Sequence, residues 1–322
     1  MNKRTISNEE FIELWKTHKS AAKIARITGI SERNVHHRRR DIEAKYDTVL
    51  VASYNQRNNV TQSKTNIQLG IQNGCVLIFS DAHFQMGRRT TAFKALLWLI
   101  QELKPKAVVN NGDAFDGGSL SRFPVSNWDT PPSVLEELNA CKMYLGEIEE
   151  AAKDAYKPVK LVWCMGNHDS RLNARLASVA PQFKSVDGFT LEENFPEWTH
   201  TMSCLVTDSF MVKHRWKGGL HAVSANTQNS GLSFATGHLH SAKVSGWTDY
   251  TGTRWGIDTG TLSEIWSPAF SYAEDSPRNW RAGFAVANIA EGRLLQPELV
   301  IVSDIGEDLV EFRGELVDVS EF

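Results

Sequence analysis

Five short polar clusters hold the side chains best suited to chemistry in this 322-residue chain. In chain order they are Asp81-Ala82-His83, Gly112-Asp113, Gly166-Asn167-His168-Asp169, His214 and Gly237-His238-Leu239-His240. Their Asp, His and Asn side chains are hard oxygen and borderline nitrogen donors, with no thiolate among them. This donor set suits Mn²⁺, Fe or Zn²⁺ and disfavours Ca²⁺, which takes oxygen ligands only. The clusters therefore predict a transition-metal site.

The spacing within the clusters is compatible with two ions. Asp81 and His83 are two residues apart in a loop, so both can face one ion, whereas His238 and His240 could each face a different one. The Asp113 carboxylate can bridge two ions. Two metals about 3.5–4 Å apart clamp a phosphate, lower the pKa of a bridging water and stabilise the charge of an in-line displacement. We expect two divalent transition-metal ions, with Mn²⁺ favoured and Fe or Zn²⁺ as alternatives.

A short apolar strand precedes each polar cluster. The predicted strands are Val76–Ser80, Ala107–Val109, Val159–Cys164, Phe210–Lys213 and Leu232–Ala235, and two helical stretches, Thr91–Leu103 and Ser133–Ala155, alternate with the first three. Ligand residues of layered α/β proteins gather just past the ends of buried strands, because the strands direct successive loops into one crevice. The pattern predicts an α/β fold. We also expect Asn66–Ile71 to turn at Asn73-Gly74 and pair with Cys75–Ser80 as a hairpin, and Asp304–Phe322 to form edge strands.

The ordered motifs D-x-H, G-D, G-N-H-D, a lone strand-end His and G-H-x-H over residues 81–240 resemble those of the calcineurin-like metallophosphoesterase superfamily. That superfamily includes Mre11-type nucleases, cyclic-nucleotide phosphodiesterases and phosphoprotein phosphatases. The resemblance implies a four-layer α/β/β/α metallophosphoesterase sandwich over residues 66–322, preceded by a small all-α domain. It also implies dinuclear, metal-dependent hydrolysis of a phosphate ester.

The resemblance also implies a role for each motif residue. Asp81, His83 and His240 would bind the first metal, Asn167, His214 and His238 would bind the second, and Asp113 would bridge them. His221 lies near enough in sequence to compete with His214. His168 would stand beside the scissile phosphate as a transition-state stabiliser or proton donor, and Asp169 would orient His168 by accepting its other ring N–H.

Cationic residues follow the motifs and could bind the substrate phosphate. They are Arg88, Arg89, Arg122, Arg171, Arg215 and Lys217. Arginine suits this role because its planar fork matches the geometry of a phosphate. Two tryptophans near the predicted site loops, Trp128 and Trp216, could stack a base.

The first 45 residues differ in charge from the rest of the chain. They carry 11 Lys+Arg against 6 Asp+Glu, a net of +5, whereas residues 46–322 have a net of −8. Residues 8–46 predict three short helices, with Asn8 as the first N-cap and Ala25, Gly29 and Val35 at the spacing of a helix-turn-helix unit. This stretch resembles helix-turn-helix domains of phage and bacterial DNA-processing proteins. The resemblance implies DNA as a partner of residues 1–46.

The third predicted helix carries the side chains that could contact nucleic acid. They are Arg33, Asn34, His36, His37, Arg38, Arg39 and Arg40. Arg and Asn can read base edges, and a run of cations suits phosphates.

Composition and domain boundaries limit the remaining possibilities. Residues 47–65 are rich in Asn, Gln, Ser and Thr and predict a linker between residues 1–46 and 66–322. No apolar run approaches the roughly 18 residues of a membrane helix, and Met1–Lys19 has no secretory h-region. The 4 cysteines are scattered, without a C-x-x-C pair. We expect a cytoplasmic protein without a membrane partner, and the sequence does not predict its oligomeric state.

Three functions remain open on this evidence. The favoured one is a metal-dependent phosphodiesterase or nuclease that acts on DNA. An alternative is a phosphatase or phosphodiesterase for a small nucleotide or a phosphoprotein, with residues 1–46 used for localisation. The third is a DNA-binding regulator with an inactive body, which the intact ligand set argues against.

Overall fold

The computed structural model describes residues 6–46, 50, 66–87, 89–122, 130–184, 186–267, 270 and 279–322. The chain divides into two compact units, residues 1–61 and 62–322, called here the head and the body. The predicted linker 47–65 lies outside the described residues, except for Leu50. None of the helices in these described ranges is long and apolar enough to cross a membrane.

Three helices make up the described part of the head. They are α1 (Asn8–His18), α2 (Ala21–Thr28) and α3 (Glu32–Tyr46). Their apolar faces meet in a small core that contains Phe11, Trp15, Ile24, Val35 and Ile42. The hydroxyl of Ser7 accepts the Glu10 N–H, so Ser7 and not the expected Asn8 caps α1. Gly29 ends α2 in the left-handed region, at φ 73°, where glycine has no Cβ to clash.

The body alternates strands and helices in its first half. Its strands are β1 (Asn66–Gln68), β2 (Gly74–Phe79), β3 (Ala107–Asn110), β4 (Lys160–Cys164), β5 (Thr199–Thr201), β6 (Ser203–Thr207), β7 (Phe210–Val212), β8 (Ser233–Thr236), β9 (Lys243–Asp249), β10 (Gly252–Asp258), β11 (Gly283–Ala290), β12 (Arg293–Leu294), β13 (Glu298–Val302), β14 (Leu309–Phe312) and β15 (Glu315–Asp318). Its helices are α4 (Thr91–Leu103), α5 (Val134–Ala155), α6 (Ser170–Val179), α7 (Leu191–Asn194) and α8 (Ala222–Ser230), with 3₁₀ turns at Gly118–Leu120 and Pro181–Phe183.

Within the described residues these strands form two sheets. The six-stranded sheet has the order β1-β6-β7-β8-β10-β9, and the nine-stranded sheet has the order β15-β14-β13-β11-β2-β3-β4-β5, with β12 beside β11. Strands β2, β3, β4 and β5 are parallel. The predicted hairpin is wrong, because β1 pairs in parallel with β6 while β2 lies in the other sheet. Ile71 is buried between the sheets, so this segment carries the chain from one sheet to the other.

Side-chain alternation along the strands explains the layers. In β2, Leu77 and Phe79 pack against the helices α4 and α5, whereas Val76 and Ile78 face the second sheet. Helix α8 packs on β8, β9 and β10, on the far side of the six-stranded sheet. The order helix, sheet, sheet, helix confirms the predicted four-layer α/β/β/α fold. β14 and β15 lie at an edge, as expected for the last segment.

Candidate metal centre

The loops that follow five strands converge at one place. The predicted ligands follow β2 (Asp81, His83), β3 (Asp113), β4 (Asn167), β7 (His214) and β8 (His238, His240). The five with a left-handed backbone are Asp81 (φ 54°), His83 (φ 41°), Asp113 (φ 56°), His238 (φ 71°) and His240 (φ 56°). Such conformations are costly outside glycine and cluster at functional sites, where surrounding structure enforces them. The strained loops direct these side chains into one centre.

The first ligand group consists of Asp81, His83 and His240, whose donor atoms lie within 4.8 Å of one another. All three side chains are buried, and Asp81 Oδ1 is 3.0 Å from His240 Nε2. The other oxygen of Asp81 accepts the backbone N–H of His238 at 2.9 Å. Burial would raise the pKa of Asp81, but the charges of His240 and His214 hold that pKa at about 2. Asp81 is therefore a carboxylate, as a metal ligand must be.

The second group consists of Asp113, His214 and His238. The Nδ1 of His214 donates to the Asn111 carbonyl at 2.7 Å, which turns Nε2 towards Asp113 Oδ2 at 3.0 Å. Burial would lower the pKa of His214, but Asp113 and Asp81 raise that pKa to about 10. A metal ion would displace this proton on binding. His221, the competing candidate, is exposed at the start of α8 and belongs to neither group.

Unpartnered buried atoms show that the donor set fits divalent ions. Over the described part of the chain, Asn167 Oδ1 and His240 Nδ1 are buried without a hydrogen-bond partner. Buried polar atoms normally have a partner, because leaving one without costs free energy. Metal coordination would satisfy these atoms, and Asn167 supplies the amide oxygen predicted for the second site. The assignment of each ligand to an ion remains a prediction.

Two glycines of the motifs allow this close packing. At Gly112, which has a φ of 94°, an added Cβ would lie 2.6 Å from His214 Nδ1. At Gly166, an added Cβ would overlap the Asp113 side chain and lie 2.6 Å from the Asp113 backbone nitrogen. The G-D and G-N-H-D motifs therefore need glycine for steric reasons at the ligands themselves.

The side chain that orients His168 is Asp116. Its Oδ1 accepts from His168 Nδ1 at 2.7 Å and lies 3.0 Å from His83 Nδ1. Burial would raise the pKa of Asp116, but the hydrogen bonds from His168 and His83 hold that pKa well below its usual range. Burial would lower the pKa of His168, and the hydrogen bond to Asp116 raises it overall. Asp116 was not among the residues predicted from the sequence, although G-D-x-x-D places it three residues after Asp113.

Asp169 has a different role from the predicted one. Its carboxylate accepts the backbone N–H groups of Asp113 (2.8 Å), Phe115 (3.1 Å) and Gly166 (2.8 Å), and the indole N–H of Trp163 (2.9 Å). The prediction that Asp169 accepts a ring N–H of His168 is therefore wrong. The buried carboxylate therefore points towards the loops that follow β3 and β4. By accepting N–H groups from both loops, Asp169 holds together the backbone that carries the ligands.

The cationic residues predicted to bind the substrate phosphate differ in where they lie. Arg171 lies at the centre, because its Nη1 donates to the Asp116 carbonyl at 2.8 Å and its Nη2 is 3.2 Å from His168 Nε2. Arg89 pairs with Glu147 of α5 at 2.8 Å, and its contact with phosphate stays a prediction. The remaining described members are exposed, and they are Arg122, Arg215 and Lys217. Arg88 and Trp128 lie outside the described residues.

The head presents part of its predicted nucleic-acid set to solvent. The exposed members on α3 are Arg33, Asn34, His36, His37 and Arg40. Arg33, His37 and Arg40 are spaced by four and three residues, so they share one face of the helix.

The other two arginines of α3 are used inside the head. Arg38 donates to the Ile6 carbonyl at 2.6 Å and to the Asn8 side chain at 3.1 Å. Arg39 pairs with Glu43 at 2.9 Å. Helical periodicity turns these two side chains away from the exposed face, because they follow the buried side of α3. Arg38 and Arg39 are thus bonded within the head, and their contact with nucleic acid stays a prediction.

Comparison with known proteins gives one family match. A family model described as calcineurin-like phosphoesterase matches residues 76–281, more than half of the chain. No curated protein matches significantly in sequence.

Three solved structures that are similar to this chain come from proteins with different names. Zinc-bound wild-type Vps29 from Entamoeba histolytica is 13% identical, with a TM-score of 0.39, and covers 76% of this chain and 99% of its own. An archaeal phosphodiesterase is 13% identical, with a TM-score of 0.37 and coverages of 71% and 99%. A dimetal phosphatase from Danio rerio is 13% identical, with a TM-score of 0.33 and coverages of 77% and 98%.

Proposed function

The chain belongs to the calcineurin-like phosphoesterase family. We propose that it is a phosphodiesterase that cleaves DNA with two divalent ions, and that Mn²⁺ is the favoured metal. The observation that carries this proposal is the meeting of two nitrogen and oxygen ligand groups beside His168. Divalent ions held there would neutralise phosphate charge and acidify water.

The side chains around His168 support a role in proton transfer. Asp116 holds Nδ1 of His168, so Nε2, which lies 3.2 Å from Arg171 Nη2, is the ring atom that would face a substrate oxygen. From there His168 would stabilise the transition state or give a proton to the leaving oxygen. Arg171 lies beside the same nitrogen, close enough for its guanidinium to contact the same phosphate.

The head supports DNA as the substrate. Its net charge of +5 and the exposed side chains of Arg33, His37 and Arg40 suit a phosphate backbone. The body has a net charge of −8, which disfavours a large contact surface for nucleic acid. This charge favours a second candidate function, in which the substrate is smaller than DNA. That candidate is a phosphatase or phosphodiesterase for a small nucleotide or phosphoprotein, with the head used for localisation.

A substrate screen separates these functions. The full chain is loaded with Mn²⁺ and compared on single-stranded DNA, duplex DNA, bis-p-nitrophenyl phosphate and p-nitrophenyl phosphate, with Asp113→Asn as the inactive control. We expect cleavage of DNA and of the diester, and its loss on chelation. Turnover of the monoester alone would support the phosphatase, and tight DNA binding without any turnover would support an inactive regulator. Equal turnover by Asp113→Asn would show that the activity comes from elsewhere.

A further inference from the structure

The stretch that contains His214 and His238 differs in charge from the rest of the body. Between residues 209 and 248 the sequence contains no Asp or Glu, and its cations are Lys213, Arg215, Lys217 and Lys243. The body as a whole has a net charge of −8. The stretch includes His214 and His238 of the second ligand group. Four cations without an acidic residue in the same stretch suit contact with an anionic substrate.

An exposed aromatic ring lies in the middle of this stretch. Trp216 is 46% exposed and follows the buried ligand His214 by two residues. Its ring lies 5.4 Å from the ring of Phe234, which is buried on β8. Phe234 supports the indole, while nearly half of Trp216 stays open to solvent.

Cations stand on both sides of that ring in sequence. Arg215 and Lys217 are exposed, and Lys217 Nζ lies 5.8 Å from the Trp216 ring centroid. The backbone N–H of Lys217 donates to the Asn226 side chain at 3.1 Å, which ties the segment to α8. The combination of a supported aromatic ring and flanking cations is typical of surfaces that bind single-stranded nucleic acids, where bases stack and phosphates pair.

We propose that Arg215, Trp216 and Lys217 form a nucleotide subsite on the His214 side of the metal centre, where an unpaired base stacks on Trp216 and adjoining phosphates contact the two cations. The cleavage step rests on the proposed phosphodiesterase function. The subsite deepens that function by naming the substrate as single-stranded DNA or a frayed end, because a base inside a duplex has no free face to offer.

Dinucleotides test the subsite without involving the head. The full chain with Mn²⁺ is assayed on the thymidine dinucleotide and on analogues in which the 5′ or the 3′ base is absent and the phosphodiester is kept. Trp216→Ala should lower kcat/KM for the intact dinucleotide by about 5- to 150-fold, the range for one stacked base. It should leave kcat/KM unchanged for the analogue that lacks the stacking base. Arg215→Ala should have its main effect on a longer oligonucleotide, because a dinucleotide has only the scissile phosphate and none adjoining the stacked base.

Matched variants and a binding measurement make the result decisive. Trp216→Phe should keep most of the preference for the intact dinucleotide, and Trp247→Ala, at a tryptophan 38% exposed on β9, should have no effect. Calorimetric titration with the dinucleotide is carried out alongside turnover. If the dinucleotide bound in a way that depends on Trp216 but was not cleaved, the phosphodiesterase function would be overturned and the subsite would stand. An equal effect of Trp216→Ala on all three dinucleotides, or none, would overturn the subsite.

Discussion

Asp116 Oδ1 accepts a hydrogen bond from His168 Nδ1 at 2.7 Å. The same oxygen lies 3.0 Å from Nδ1 of His83, a predicted ligand of the first ion. One carboxylate thus orients both a ligand and the histidine proposed to act on the leaving group. Such outer partners set the tautomer and direction of a histidine ring.

Asp116→Asn is expected to lower kcat by about 10- to 100-fold, because a neutral amide oxygen accepts more weakly from the two rings and does not stabilise a protonated His168. The double variant with His168→Ala should be no slower than His168→Ala alone, since the two residues act as a unit. Steady-state kinetics on a chromogenic diester measures both. Additive losses would mean that Asp116 acts mainly through His83 and the metal.

Asp113→Ala is expected to remove most bound metal, because Asp113 is predicted to bridge both ions. Elemental analysis of the purified protein should find close to two ions in the wild type and close to none in the variant. Asp208→Ala, which removes an exposed carboxylate bound to Gln68, is the matched control and should keep its metal. Full metal retention by Asp113→Ala would refute the bridging assignment.

His168→Ala should leave the metal content nearly intact and lower kcat by roughly 10²–10⁴-fold, the range for a positioned proton donor. The loss should shrink for a diester with a p-nitrophenolate leaving group, which needs less protonation. Parallel metal analysis checks the assignment. If metal were lost together with activity, His168 would be a ligand.

The triple variant Arg33→Ala, His37→Ala and Arg40→Ala should weaken DNA binding by the full chain while turnover of a small diester is kept. Each lost phosphate contact should reduce the slope of log affinity against log salt by about 0.9 on duplex DNA. Fluorescence anisotropy at several salt concentrations measures this slope. Arg38→Ala is the contrasting variant, and it should lower the thermal stability of the head because Arg38 bonds Ile6 and Asn8. An unchanged salt slope in the triple variant would argue against DNA docking by this face.

Glu137 should make stability depend on pH. Its carboxylate accepts the N–H groups of Gly117 and Gly118 at 2.9 and 3.0 Å, next to Asp116. Burial is the main cause that raises the pKa of Glu137 to about 7, from 4.5 in a free side chain. The folded state therefore holds this proton more tightly than the unfolded state does. The contribution of Glu137 to the free energy of unfolding is fully present below pH 4.5 and is lost as the pH rises through 7. The difference is on the order of 3 kcal/mol.

Glu137→Gln cannot ionise and should lose this dependence. Urea unfolding at about pH 5 and about pH 8 should show a larger fall in the free energy of unfolding for the wild type than for the variant. Parallel pH dependence in the two proteins would exclude Glu137 as the source.

Much of the fold and the site follows from local sequence. The strands before Asp81, Asp113 and Asn167 are short apolar runs, and α4 has the predicted bounds, Thr91–Leu103, because Thr90 caps it and its apolar face is continuous. Ligand identity is also local, since only particular side chains offer a nitrogen or oxygen donor. The ordered motifs were therefore enough to predict the two ligand groups and the four-layer architecture.

Tertiary structure decided which hydrogen-bond partner each side chain has and which strands pair. The sequence favoured Asp169 as the partner of His168, but backbone N–H groups from two loops and the Trp163 indole converge on that carboxylate, and Asp116 contacts His168 instead. Likewise β1 pairs with β6, which follows it by more than 130 residues, and not with the adjacent β2. Local patterns specify which residue types are present and which face of an element is apolar. Which donor meets which acceptor depends on segments far apart in sequence, and only their packing brings those groups into contact.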